Sequence, residues 1–261
     1  MKPINMPVVC ALLIVASGPA LAGDNAFSLS AGMEYSTGNY GAQESTDIQY
    51  FPVTGKYQAG PLILKLMVPY VSITGPANVI GGLGNVMPVA TAGGGTPPRR
   101  SASGQGDVVA AGSYNVYQNG ATGLLLDLTG KVKFATADDS KGLGTGKNDF
   151  SLQADVVKQR GAWMLFGSLG WRKMGDPDGS DFKDPWFGSA GASYGLNAAT
   201  QLGALYETRQ SVIDGGAKLS ELMLFASYQL APSYTLQGYV IKGFTDGSPD
   251  WGGGTVLNRH F

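Results

Sequence analysis

The sequence predicts an all-β fold: a transmembrane, antiparallel, up-and-down β-barrel of about twelve strands. Three observations carry that expectation. Apolar and polar residues alternate with period two over stretches of about ten residues, the length a tilted strand needs to cross a bilayer. The connections between these stretches alternate between tight turns and longer polar loops. Composition agrees: of 261 residues 40 are Gly, only 14% are charged, and the mean hydropathy is near zero. Soluble domains carry about 25% charged residues. Residues 23–261 contain no apolar run of the roughly 20 residues that a membrane helix requires.

Residues 1–22 read as a secretory signal peptide. Lys2 is the positive n-region, residues 7–17 form a short apolar stretch, and Ala20-Leu21-Ala22 is a small-residue site with cleavage before Gly23. The single Cys, Cys10, lies inside it, so residues 23–261 offer no thiol or disulfide chemistry.

The barrel is expected over 23–261. Its first strand, 26–37, alternates Phe27, Leu29, Ala31, Met33 and Tyr35 with Ser28, Ser30, Gly32, Glu34 and Ser36. A loop at 38–43 precedes the second, 44–58. The tight Ala59-Gly60 turn leads into 61–74, where Leu62, Leu64, Leu66, Val68 and Tyr70 share a face and Lys65 takes the other. A Gly- and Pro-rich loop, 75–104, precedes strand 105–118. After Asn119-Gly120, strand 121–136 sets Leu124, Leu126, Leu128, Val132 and Phe134 against Asp127, Thr129, Lys131 and Lys133. Loop 137–146 leads to 147–159, where Phe150, Leu152, Ala154 and Val156 oppose Asp149, Ser151, Gln153 and Asp155. The Arg160-Gly161 turn, strand 162–175 and loop 176–183 follow, then 184–196, a turn around Asn197, and 198–212. Residues 213–215 connect to 216–231, where Leu222, Leu224, Ala226, Tyr228 and Leu230 oppose Glu221, Ser227 and Gln229. The turn Ala231-Pro232-Ser233, strand 233–246, loop 247–249 and strand 250–261 complete the chain. Tyr35, Tyr57, Tyr70, Tyr114, Trp163, Trp171, Trp186, Tyr194, Tyr206 and Tyr228 sit at strand ends, where interfacial girdles form.

Three stretches carry a family resemblance: GPLILKLMVPYVSITGP at 60–76, KVKFATADDSKGLGTGKNDFSLQ at 131–153, and FTDGSPDWGGG at 244–254. With the terminal Phe261 they resemble the outer-membrane transporter-like family named for the MetA pathway of phenol degradation. The resemblance implies a bacterial outer-membrane barrel that moves hydrophobic or aromatic compounds. The terminal Phe resembles the signal read by the outer-membrane assembly machinery. Arg259 departs from it, falling between Leu257 and Phe261 on one face.

Little else in the sequence carries chemistry. The segment 142–147, Gly-Leu-Gly-Thr-Gly-Lys, lacks phosphate-loop spacing and a following helix, and reads as a flexible outer loop. Asp176, Asp178, Asp181 and Asp184 form a solvated acidic loop, with a weak divalent-ion site, shared with surface lipopolysaccharide, as the alternative. The one His, His260, lies next to the C-terminus, so a nucleophile and base pair for a barrel-embedded lipid hydrolase is not expected. No cofactor and no metal is implied. A net charge of −1 argues against nucleic acid.

With apolar faces outward, the lumen should receive Glu34, Lys65, Asp127, Lys131, Lys133, Asp155, Arg172, Glu207, Arg209, Glu221 and Lys242, together with Met67, Met174, Phe166, Phe187, Met223, Phe225 and Phe244. Both charge signs are present, which fits either a filled interior of paired charges or a polar pathway for an amphipathic solute. The expected function is a passive channel for small hydrophobic or aromatic solutes, with 75–104, bearing Arg99 and Arg100, as a gate. The alternative is a plugged structural or interaction barrel.

Overall fold

The computed structural model describes residues 26–76, 99–177, 179 and 181–261, and the backbone alone of 10–11, 14–15, 79–82 and 85–88. Apart from the backbone of 10–11 and 14–15, the expected signal segment 1–22 lies outside the described residues. Among the described residues, twelve antiparallel strands form a closed barrel. They are β1 (Ala26–Gly38), β2 (Thr46–Ala59), β3 (Leu62–Pro76), β4 in two runs (Arg99–Gln105 and Val108–Asn119), β5 (Leu124–Phe134), β6 (Asp149–Arg160), β7 (Trp163–Lys173), β8 (Trp186–Gly195), β9 (Thr200–Arg209), β10 (Leu219–Ala231), β11 (Tyr234–Gly243) and β12 (Trp251–His260). Each pairs with its sequence neighbours, and β12 closes the ring on β1 with Leu257 opposite Ala31. Closure leaves no edge, which is what a β-structure in lipid requires.

The period-two pattern orients every strand. Leu64, Leu66 and Val68 on β3, Leu152 on β6 and Leu224 on β10 face outward, and Leu152 is 62% exposed. In water such a belt would be an aggregation surface, whereas in hydrocarbon it is the favoured face. All ten aromatics expected at strand ends lie on this outer surface. Tyr57, Tyr114, Trp163, Tyr194 and Tyr228 stand near the tight-turn end; Tyr35, Tyr70, Trp171, Trp186 and Tyr206 stand toward the loop end. The tight turns fall where the sequence placed them, and Gly60 (φ 54°) and Gly161 (φ 61°) adopt the left-handed conformation that a side chain disfavours.

The largest boundary difference from the sequence expectation is at β4. β4 begins at Arg99 rather than 105, so Arg99 and Arg100 are wall residues and the connection after β3 shortens to 77–98. In this connection the backbone of Val79–Gly82 pairs with that of Asn85–Pro88. The run Arg99–Gln105 lacks an apolar face, so hydrophobic periodicity could not reveal it. It pairs with residues 70–76 of β3 beyond the apolar belt. The interruption at Gly106-Asp107 has a covalent cause. Pro69 has no N–H to donate, its carbonyl accepts from Gly106 N at 2.9 Å, and the ladder resumes at Met67 opposite Val109.

A candidate channel lumen

Ten of the eleven charged side chains expected in the lumen point inward: Glu34, Lys65, Asp127, Lys131, Lys133, Asp155, Arg172, Glu207, Arg209 and Glu221. Lys242 does not. On β11 the buried residues are Thr235, Gln237, Tyr239, Ile241 and Gly243, which puts Lys242 outside with Leu236 and Val240. Its ammonium donates to the Asp250 carbonyl at 2.8 Å. A lysine at the rim reaches polar groups from the lipid side, so charge alone misassigned its face. Phe244 is likewise exposed, whereas Met67, Met174, Phe166, Met223 and Phe225 are buried and Phe187 is half-buried.

Asp107 and Asp149, which were not among the expected lumen charges, hold Lys133. The Lys133 ammonium lies 3.0 Å from Asp107 Oδ2 and 3.2 Å from Asp149 Oδ2, with all three side chains at most 5% exposed. It also donates to Thr145 Oγ1 at 3.0 Å. Asp107 Oδ1 accepts from the backbone N–H groups of Thr136 and Ala137. These contacts draw the β5–β6 connection, 135–148, into the barrel mouth. Leu143 at its tip is 2% exposed and packs with Tyr50, Met67, Val71, Ile73 and Val109. Gly144 is required there, because a Cβ would stand 2.8 Å from the Ala137 Cβ and 3.0 Å from both Asp107 carboxylate oxygens. The Gly-Leu-Gly-Thr-Gly-Lys segment expected to be a flexible outer loop is thus a buried constriction. Sequence periodicity misses it because its burial depends on β2, β3 and β4. At its surface, the Ser140 hydroxyl and Lys141 hold the Asp138 carboxyl below its usual range.

Farther round the wall, Leu125, Val157, Phe166, Leu205, Met223, Phe225, Tyr239, Ile241 and Val256 form a second apolar cluster. Tyr239 donates to Glu34 Oε2 at 2.6 Å. Between the clusters and the tight-turn end, a cavity of about 110 Å³ is lined by Lys56, Lys65, Lys131, Asp127 and Asp155 with hydroxyl and small apolar side chains. Lys56 shares the inward phase of Thr54, a signal present in the sequence. At the loop end, Tyr40 is buried at 3%, and desolvation raises its hydroxyl pKa. Met174, Phe182 and Val212 join two further loops over the mouth.

The acidic loop ties itself together. Asp176 accepts from Phe182 N at 2.9 Å, and Asp184 accepts from Met174 N at 2.9 Å while pairing with Lys173 at 3.0 Å. These bonds, the backbone one foremost, hold Asp184 below the usual carboxylate range. Asp181 is exposed and Asp178 lies outside the described residues. Among the described residues no group of three His, Cys, Asp or Glu side chains could hold a metal ion. At the rim, Arg99 pairs with Asp47 at 2.8 Å and donates to the Ser45 carbonyl, and Arg100 is exposed. Phe261 continues β12, with its N–H on the Phe27 carbonyl at 3.0 Å and its ring 4.4 Å from the Arg259 guanidinium.

No family model and no curated protein matches the chain. The fold is nevertheless shared with solved structures. A COG4313 outer membrane channel from Pseudomonas putida F1 superimposes with a TM-score of 0.69 at 17% identity, over 95% of this chain and 100% of that one. The KdgM porin superimposes with a TM-score of 0.51 at 10% identity, over 90% of this chain and 99% of that one. These likenesses show the fold, a closed antiparallel β-barrel.

Proposed function

We propose that the chain is a narrow outer-membrane channel for passive diffusion of small amphipathic solutes, hydrophobic or aromatic compounds among them. The carrying observation is a closed wall, apolar outside, around an interior that mixes ten charged groups with Met and Phe side chains and encloses a cavity. The structural neighbours with this fold are channels, which supports the reading. In it, residues 1–22 are a signal removed on export, Phe261 is read by the assembly machinery, and the barrel faces outer-membrane lipid and lipopolysaccharide. The constriction is the buried segment 135–148, and the connection 77–98, most of it outside the described residues, is proposed as a gate.

The apolar clusters favour one rival, a barrel whose interior is filled and passes nothing. Planar bilayers and liposome swelling separate the two. Discrete conductance steps, and swelling with small neutral aromatics, are expected. Deleting residues 138–146 should enlarge both, and deleting 80–97 tests the gate. Absence of conductance in the protein and in both deletions would establish the filled barrel.

A further inference from the structure

Strand register sets eight of the lumen charges in two rows of opposite sign, with Glu34, Lys133 and Arg209 outside both. Following directly opposed partners from β2 to β7, one row reads Lys56, Lys65, Ala111, Lys131, Ser151, Arg172. It holds four cations and no acid. A second row, from β5 to β10, reads Asp127, Asp155, Ser168, Ser189, Glu207, Glu221. It holds four acids and no cation. Thr129, Gln153 and Gly170 occupy the row between them.

The rows are ramps rather than rings. Strands stand about 4.8 Å apart and tilt by about 40°, so a row rises about 3 Å per strand and about 15 Å from β2 to β7. The positions agree: Lys65 lies three residues in from Leu62, Lys131 seven in from Leu124, and Arg172 nine in from Trp163, all measured from the tight-turn end. An interior built only for stability would set opposite charges across from one another. Lys133 opposite Asp149 follows that rule, but within the two rows Lys56 opposes Lys65, Asp127 opposes Asp155, and Glu207 opposes Glu221. Like charges placed directly opposite are destabilising. An aromatic face accompanies the basic ramp, since the Phe187 ring lies 5.9 Å from Lys131 Nζ and 5.6 Å from Arg172 Cζ. Gly170 leaves room for that ring. The lower part of the ramp, Lys56, Lys65 and Lys131, lines the cavity beside the apolar Met67.

We propose that Lys56, Lys65, Lys131 and Arg172 form a stepped track that binds the carboxylate of an amphipathic acid and passes it along the lumen. Phe187 and Met67 carry the solute's apolar part. Adjacent cations let a carboxylate form one charge-assisted contact before it leaves the last, and such weak, repeated sites are what conduction needs. The inference rests on the channel reading and names its solute class.

The test is calorimetric titration of the folded barrel in detergent with sodium benzoate and with benzyl alcohol, followed by bilayer recordings of the same preparations. Benzoate is expected to bind and benzyl alcohol to bind at least about tenfold more weakly. Lys65→Gln and Lys131→Gln should each weaken benzoate by about tenfold, as expected for loss of one charged hydrogen bond. Lys131→Arg should retain binding, and the outward-facing Lys242→Gln should leave it unchanged. Heat-modifiable gel mobility reports folding of each variant. Equal binding of the two probes by the unsubstituted protein, or variants that fold and bind benzoate normally, would overturn the track. Benzoate binding without any conductance would sink the channel reading and leave only carboxylate binding by the row standing.

Discussion

Replacing Lys133 with Met should open the constriction. The methionine has similar length and no charge, so the wall stays filled while the clamp on residues 135–148 is lost. In the native protein one ammonium lies 3.0 Å and 3.2 Å from two carboxylates and 3.0 Å from Thr145 Oγ1. Removing one partner of a buried ion pair costs about 3–5 kcal/mol, because the charge left behind stays desolvated. Here two carboxylates, Asp107 and Asp149, are left facing each other. They regain water most readily if the loop that covers them swings out. A bias of about 3 kcal/mol against opening corresponds to an open population below about 1%; cancelling it brings open and closed states near parity. Single-channel recording should therefore show Lys133→Met dwelling in a larger conductance state that the unsubstituted channel visits rarely. Cross-linking 143 to 104 through paired cysteines should abolish that state, since a Gly104 side chain would stand 2.9 Å from Leu143 Cδ1. A folded Lys133→Met barrel with unchanged conductance and dwell times would refute the clamp.

Three further outcomes are expected. Leu66→Arg places a charge on the lipid face and should destabilise the barrel by about 2–4 kcal/mol in urea unfolding from liposomes, if the site lies near mid-bilayer depth. Tyr239→Phe removes the 2.6 Å bond to Glu34 and should lower stability by about 1–3 kcal/mol in the same assay, because a buried carboxyl loses its donor. The Asp184 carboxyl is held below its unfolded value, so its contribution to the 174–185 loop is present above the unfolded pKa of about 4 and is lost as pH falls through the folded value. Acid-stable protease should therefore cut this loop faster toward low pH, and Asp184→Asn should show that susceptibility already at neutral pH.

Much of the architecture was legible because a strand's side chains alternate and a bilayer rewards one face of that alternation. The twelve segments, the tight turns, the aromatic strand ends and ten of the eleven inward charges follow from that rule. It fails where the lipid belt ends. Arg99–Gln105 is strand without an apolar face, and Lys242 is outward despite its charge. It also fails at the loop 135–148, whose Gly-rich composition reads as mobile while its Leu143 is among the most buried side chains. Burial there comes from Asp107 and Lys133, and the contact joins residues of β5 to the junction within β4.

The sequence by itself determined that a wall would form, which face of each strand would point outward, and most of the charges that would be enclosed. The sparse charge and the near-zero hydropathy follow from those alternating faces. What the tertiary structure alone decided is the neighbour each enclosed charge receives. Period-two alternation gives the face of a residue but not its height against the next strand. Register is set when turns, the Pro69 break and closure of β12 on β1 take effect together. That register aligned Lys56, Lys65, Lys131 and Arg172 in one ramp and the acids in another.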